Sequence, residues 1–348
     1  LFFLKQLTLE NISQAFKQAT LSVMEPANKI IILSHKNPDG DAVGSGLALY
    51  HFLKELGKDV CFIVPNQLPV YLNWMPGYED VLVYEKQKET GRELLKNADV
   101  LIMVDFNHRS RLSEAGDYVI PLKTPKFLID HHPHPEAIAE HIYSRTSASS
   151  TAEMVYEFIA GIFGTQYVSQ TVATCLFVGI MTDTGSFSYN SSEPLTFEIV
   201  AALLKKGIDK DYITDKVYNN FSEHRLRLMG HAMNQRMVVF PEYQAAYLYL
   251  TRSDMETFQF EAGDSEGFVN YPLSIRGIVF SAIFIEKDDH TKCSFRSKGD
   301  FPANLVAKEH FGGGGHINAA GGESKTTLAE TIKKFESILP TYKSYLHE

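Results

Sequence analysis

The chain has 348 residues, of which 44% are apolar and 22% charged, with a formal net charge of −9. At roughly 150 residues per domain this length suggests two domains, and no apolar run reaches the ~20 residues that a membrane-spanning helix requires. The ordinary share of charge excludes wholesale disorder, and the acidic balance excludes the basic footprint of a protein that holds long duplex DNA non-specifically.

Apolar spacing at Ile12, Phe16, Ala19 and Val23 predicts a helix within 1–28. The apolar start at 1–4 is interrupted by Lys5 and is too short for a signal-peptide core. A β-rich run at 29–34 leads through a Pro/Asp/Gly turn into a helical pattern at 42–56. Further apolar strands follow at 60–64, 81–84 (an edge), 99–104 and 126–129, with polar helical segments between them. Such alternation predicts a parallel sheet covered on both faces, with ligands at the carboxyl ends of its strands. The pattern then turns helical at 151–163, 169–181 and 195–206, and a mixed-charge segment at 224–236 reads as a connector. Strands at 245–250, 277–285 and 291–296, with helices at 302–310 and 328–339, predict a smaller α+β domain. The expected fold class is therefore α/β. A parallel-sheet domain spans 1–195, a helical linker 196–235 and the smaller α+β domain 236–348.

The three cysteines, Cys61, Cys175 and Cys293, are far apart in apolar blocks and read as buried structural thiols. With no secretion signal, the Asn-x-Ser sequons read as chance and a reducing cytoplasm is expected.

Five constellations carry chemistry. The first is His35-Lys-Asn-Pro-Asp39-Gly-Asp41, where a tight turn presents an imidazole and two carboxylates at a strand end. Like charges two residues apart are tolerated best beside a cation. The second is Asp105, directly after Leu-Ile-Met-Val, where a carboxylate is costly unless paired, metal-bound or at a cleft. The third is Asp130-His131-His132 at another strand end; His134 and His141 beyond it read as surface residues. Three parallel strands ending in such groups converge at one edge of the sheet. The fourth is Asp183, an acid at the end of an apolar helix and so opposed by the helix dipole unless a cation relieves it. The fifth is Gly312-Gly313-Gly314-Gly315-His316, which lacks the Gly-Lys-Ser/Thr of a P-loop. Its backbone can approach an anion closely, and Arg296 lies upstream.

Together and in this order, these pieces resemble the DHH phosphoesterase family, whose namesake triplet matches Asp130-His131-His132. The glycine-rich segment resembles the DHH-associated C-terminal domain, and the length resembles the bacterial nano-RNase/pAp-phosphatase branch. The resemblance implies one metal held by His35, Asp39 and Asp105, and a second by Asp41, Asp105, His131 and Asp183. It implies two divalent ions, Mn²⁺ foremost with Mg²⁺ or Co²⁺ as alternatives. His132 would stand near the scissile phosphate and Asp130 would orient it. Arg111, Arg296, Ser297, Gly313, Gly314, Gly315 and His316 would grip substrate. Phe106 replaces the small or hydroxyl residue usual after the middle aspartate. That leaves the ligands intact and bears on the local substrate contacts.

The implied activity is two-metal hydrolysis of short oligoribonucleotides to mononucleotides, or of the 3′-phosphate of pAp. Linear or cyclic dinucleotides, polyphosphate and single-stranded DNA are alternative substrates of the same chemistry. The short, acidic chain argues against a processive DNA exonuclease. The partners expected are small nucleotides and short oligonucleotides, with neither membrane nor long duplex, and a homodimer by family analogy. A nucleotide-binding module without activity would have lost a ligand, and all six candidate ligands are present.

Overall fold

The structure is a computed structural model and describes residues 11–261 and 263–346. Two compact units divide the chain, Leu1–Asn220 and Phe221–Glu348. The apolar start at 1–4 lies outside the described residues.

In the first unit, α1 (Gln14–Met24) precedes β1 (Lys29–Leu33), α2 (Gly40–Glu55), β2 (Asp59–Val64), β3 (Leu82–Val83) and α3 (Lys88–Lys96). Then come β4 (Val100–Val104), α4 (Glu114–Val119), β5 (Lys126–Asp130) and β6 (His141–Ser144). Helices α5 (Thr151–Phe158), α6 (Gln170–Asp183), α7 (Pro194–Leu204) and α8 (Lys210–Tyr218) complete it. The strands form one sheet in the order β3-β2-β1-β4-β5-β6, parallel throughout. Both faces are covered, as the continuous apolar strands require. Ile30 and Ile32 of β1 join one core cluster, and Ile31 and Leu33 join the other. The strand order reverses between β1 and β4, which opens a crevice at their carboxyl ends.

Helices α2 and α6 cross at a distance that only glycine permits. A Cβ on Gly44 would stand 2.6 Å from the Cys175 carbonyl oxygen, and one on Gly179 would stand 2.9 Å from Asp41 Oδ1. Strand β6 and helix α8 were not evident in the sequence pattern. The first is short and polar, and it is held by parallel pairing with β5 and by His141 stacking on Phe127 at 4.5 Å. The second buries only Ile213 and Val217, one turn apart.

The second unit contains α9 (Glu223–Gln235), β7 (Met237–Phe240), β8 (Ala245–Leu250), α10 (Arg252–Thr257), β9 (Phe280–Glu286) and β10 (Thr291–Ser297). It ends with α11 (Ala303–His310), β11 (Gly314–His316), β12 (Ala319–Ser324) and α12 (Leu328–Ile338). Its mixed sheet runs β11-β12-β10-β9-β8-β7, with β8 and β9 parallel and the other pairs antiparallel. Helix α9, in the stretch read as a linker, buries Leu228 and Ala232 against Leu248, Leu250 and Phe268 of this unit. The end of the glycine run enters the hairpin β11–β12. Cys175 and Cys293 are buried and free, and burial pushes both thiols up to about 12. No helix among the described residues is long and apolar enough to cross a membrane.

A buried ion pair anchors the start of this second sheet. Asp254 accepts hydrogen bonds from Arg236 Nε and Nη2 (both 2.9 Å), from His231 Nε2 (2.9 Å) and from the Thr251 N–H (3.0 Å). Breaking a buried pair by removing one partner is costly, and Arg236 is partly exposed, so Asp254→Asn is expected to destabilise this unit by about 2 kcal/mol. Urea unfolding of the variant checks this; an unchanged midpoint would contradict it.

Candidate metal centre

The loop after β1 is set by a reciprocal pair. The Asn37 N–H donates to Asn66 Oδ1 (2.6 Å), and Asn66 Nδ2 donates to Asn37 Oδ1 (2.7 Å). Asn37 itself takes a left-handed conformation, φ 53°, which asparagine tolerates better than most residues. The loop delivers His35, fully enclosed, and Asp39, whose Oδ1 caps α2 by accepting the N–H groups of Asp41 and Ala42. Asp41 lies in the first turn of α2. Asp105 follows β4 directly, also left-handed at φ 65°, with its N–H on the Ile129 carbonyl. Asp130 ends β5, His131 and His132 follow it, and Asp183 is the last residue of α6. The three strand ends β1, β4 and β5 are neighbours in the sheet.

Side chains of the first unit converge into three groups, and within each group the donor atoms lie within 4.8 Å of one another. These are His35, Asp39 and Asp105; Asp41, His131 and Asp183; and Asp105, Asp130 and His132. Two imidazoles are pinned from behind. His35 Nδ1 donates to the Lys36 carbonyl (2.8 Å), and His131 Nδ1 lies 3.3 Å from the Ala148 carbonyl. Each Nε2 therefore turns a lone pair toward carboxylate oxygens. His35 Nε2 is 3.2 Å from Asp105 Oδ2 and 3.9 Å from Asp39 Oδ1. His131 Nε2 is 3.5 Å from Asp183 Oδ2 and 3.8 Å from Asp105 Oδ1. Acceptors facing acceptors at this range require a proton or a cation between them.

The titration behaviour follows from that crowding. Burial, reinforced by the Arg111 charge, lowers His35 to about 4. Burial and the charges of Asp41, Asp39, Asp183 and Asp130 raise Asp105 well above the carboxylate range. Burial lifts Asp41 and Asp130 to about 6 each. His132, whose Nδ1 is 2.8 Å from Asp130 Oδ1, is held well below the usual imidazole value by burial and then by the neighbouring His131, Arg111 and His35. Asp130 Oδ2 is buried without a hydrogen-bond partner. A donor set of neutral imidazoles and carboxylates that resist joint ionisation fits divalent cations.

Arg111 lies in the turn after Asp105, and its carbonyl accepts the Lys36 N–H at 2.7 Å. Phe106 does not face this site. It is fully buried in the apolar cluster of Leu33, Met103 and Leu112, so its bulk is absorbed by the core. In the second unit, Arg296 and His316 pair from opposite sides with the same residue, Ala319. They share one rung of the sheet, about 10 Å apart by strand spacing. The Ser297 hydroxyl is engaged inside the unit, donating to the Phe301 carbonyl (2.6 Å) and accepting from Asn318 Nδ2 (2.9 Å). A Cβ on Gly313 would overlap the Gly321 carbonyl, and one on Gly315 would overlap the Ala319 carbonyl, whereas Gly314 has open space.

The sequence pattern placed a helix start at residue 151, where α5 begins, but not its part in the site. The N–H groups of Thr151 and Ala152 donate to the two oxygens of Asp41, and the Thr151 hydroxyl donates to Asp105. The signal was present: Ser150 with Glu153 three residues on has the spacing of a capping box.

Comparison with known proteins agrees with this geometry. The model of the DHH family, N-terminal domain, matches residues 29–180, and that of the DHHA1 domain matches 242–348. The bifunctional oligoribonuclease and PAP phosphatase NrnA of Thermus thermophilus is 31% identical over 297 residues, covering 85% of this chain and 84% of that protein. The chain belongs to the DHH family. A probable bifunctional oligoribonuclease and PAP phosphatase NrnA of Streptococcus mutans is 28% identical, over 93% of this chain and 98% of its own length. Among solved structures, an exopolyphosphatase-related protein from Bacteroides fragilis is 45% identical with a TM-score of 0.92, covering 97% of this chain and 99% of that one. This DHH protein is a metal-dependent phosphoesterase.

A carboxyl with a raised folded pKa stabilises the fold below its unfolded value and withdraws that contribution as pH rises through the folded value. For Asp41 and Asp130 that loss begins at the ordinary carboxylate value and is complete once the pH has risen past about 6. A cation competes with the same protons, so the rise in melting temperature on adding Mn²⁺ should be larger at pH 8 than at pH 5. Equal shifts at the two values would count against the site. Because a Cβ at Gly179 would press on both Asp41 and Ala152, Gly179→Ala should cost about 1–3 kcal/mol. It should also shrink the Mn²⁺-induced shift, both effects read by calorimetric melting.

Proposed function

We propose that this chain is a manganese-dependent phosphoesterase that hydrolyses short oligoribonucleotides to mononucleotides and removes the 3′-phosphate of pAp. The carrying observation is the pair of imidazoles pinned by backbone carbonyls so that each Nε2 faces carboxylates. The names of the Thermus and Streptococcus relatives support the substrate class. His35, Asp39 and Asp105 would hold one cation, and Asp41, His131 and Asp183, with Asp105 shared, would hold the other. Mixed imidazole and carboxylate donors suit Mn²⁺.

Divalent cations at such a site supply Lewis-acid polarisation of a phosphoryl oxygen and activation of water at neutral pH. The protein does the rest. Asp130 takes Nδ1 of His132, so proton exchange between His132 and the reacting phosphate runs through Nε2. Arg111, whose charge is felt at His35, Asp130 and His132, offsets negative charge on the phosphate. The first unit carries the chemistry. Arg296 and His316, on one rung of the second unit's sheet, bind the non-reacting part of the nucleotide together with the backbone at Gly314.

A panel of diribonucleotide, pAp, cyclic dinucleotide and polyphosphate, each with Mn²⁺, tests the reading. Release of mononucleotides from the diribonucleotide and of phosphate from pAp is expected. Asp105→Ala should lower both activities at least about 1,000-fold, by analogy with the loss of a group that acts as part of a catalytic unit. Exclusive turnover of the cyclic dinucleotide or of polyphosphate would overturn the substrate assignment, and undiminished turnover by D105A would overturn the site.

A further inference from the structure

We infer that Thr151 is a positioning residue for the metal centre, setting both the orientation of Asp105 and the place of Asp41. This rests on the reading of those two aspartates as metal ligands. Thr151 opens α5 and is fully buried. Its hydroxyl donates to Asp105 Oδ1 at 2.9 Å, and its N–H donates to Asp41 Oδ2 at 2.6 Å. The Ala152 N–H takes the other Asp41 oxygen at 2.8 Å, and the Ser45 hydroxyl adds a bond to that same oxygen at 3.2 Å.

One residue therefore bonds two carboxylates that reach the site from different elements, Asp41 from α2 and Asp105 from the end of β4. A carboxylate rotates about its last torsion with little intrinsic preference. Holding Oδ1 of Asp105 leaves Oδ2 directed at His35 Nε2. Thr151 thus selects the carboxylate rotamer in which Asp105 presents one oxygen to His35 while the other stays near His131. The backbone donors place Asp41 whatever side chain stands at 151, whereas the bond to Asp105 Oδ1 comes from the hydroxyl and is lost with it.

The start of α5 is itself rigid. Ser150 caps it by accepting the Glu153 N–H at 3.1 Å. The fully buried Glu153 carboxylate accepts the Ser149 hydroxyl (2.7 Å), the Thr196 hydroxyl of α7 (2.6 Å) and Arg145 Nη2 (3.1 Å). Arg145 also bonds Glu157 one turn further along. A turn braced in this way carries its hydroxyl to a fixed point, which is what the positioning of a metal ligand requires.

The test compares Thr151→Ala with Thr151→Ser, which differ at this position in the hydroxyl alone. Calorimetric Mn²⁺ binding to the cation-stripped proteins is read with their melting temperatures, and kcat and KM on a diribonucleotide are measured with Mn²⁺. Loss of a hydrogen bond to a metal ligand weakens metal binding or activity by about 10–100-fold. T151A should therefore bind Mn²⁺ more weakly by that factor and lose kcat rather than gain KM, with a cation-free melting temperature close to the parent. T151S should recover most of the affinity. Parent-like Mn²⁺ binding by T151A, or T151S no better than T151A, would overturn the inference. Should T151A melt far below the parent, Thr151→Val keeps the volume without the hydroxyl and is judged by the same two criteria. Asp105→Ala, measured alongside, separates the causes. Parent-like binding by D105A would refute the ligand assignment, whereas lost binding by D105A with parent-like T151A would refute the positioning role alone.

Discussion

Repulsion among buried carboxylates is the constraint on which the first unit is built. Asp39, Asp41, Asp105, Asp130 and Asp183 meet in one small volume, and Asp41, Asp105 and Asp130 are almost fully enclosed. Two unit charges of like sign about 4 Å apart repel by about 4 kcal/mol at the effective dielectric of a protein surface, and by more inside. No arrangement of apolar packing removes that cost. It is met by protons when the site is cation-free and by divalent cations in the working enzyme. The parallel sheet is what makes the crowding possible: β1, β4 and β5 are adjacent and point the same way, so their carboxyl ends lie one strand spacing apart.

A second tier of interactions keeps the crowded groups in order. The helices α2 and α6 meet through Gly44 and Gly179, which brings the acid in the first turn of one helix near the acid at the end of the other. The N-terminus of α5 faces Asp41 with two N–H donors, where the helix dipole favours negative charge. Backbone carbonyls fix the two imidazole rings from the rear. The last two kinds of contact, a donor offered to a carboxylate and a carbonyl offered to an imidazole, leave the atom on the far side aimed inward.

Much of this was legible in the chain. Continuous apolar runs such as Leu101–Val104, stopped abruptly by an acid, announce a buried strand and a functional end together, because an acid there has few other reasons to exist. The elements that escaped notice share a different property: their stability comes from neighbours remote in sequence. Strand β6 (His141–Ser144) is polar and exists because β5 offers an edge. The hairpin β11–β12 is built from glycines whose pattern reads as flexibility. In space, Gly313 and Gly322 are glycines because the adjacent backbone leaves no room for a Cβ. Phe106 read as a change in the site, yet the left-handed turn at Asp105 sends the two side chains to opposite sides, one to the cluster of acids and one to the core.

That turn has an evolutionary corollary. The backbone of residue 105, at φ 65°, is comfortable for glycine and acceptable for asparagine or aspartate, and it disfavours longer or branched side chains. Glycine and asparagine fit the turn but abolish the negative charge, while glutamate keeps the charge and strains the turn. Drift at this position therefore has no neutral exit. Conformation and chemistry accept different substitutes, and aspartate is the single residue on which both agree.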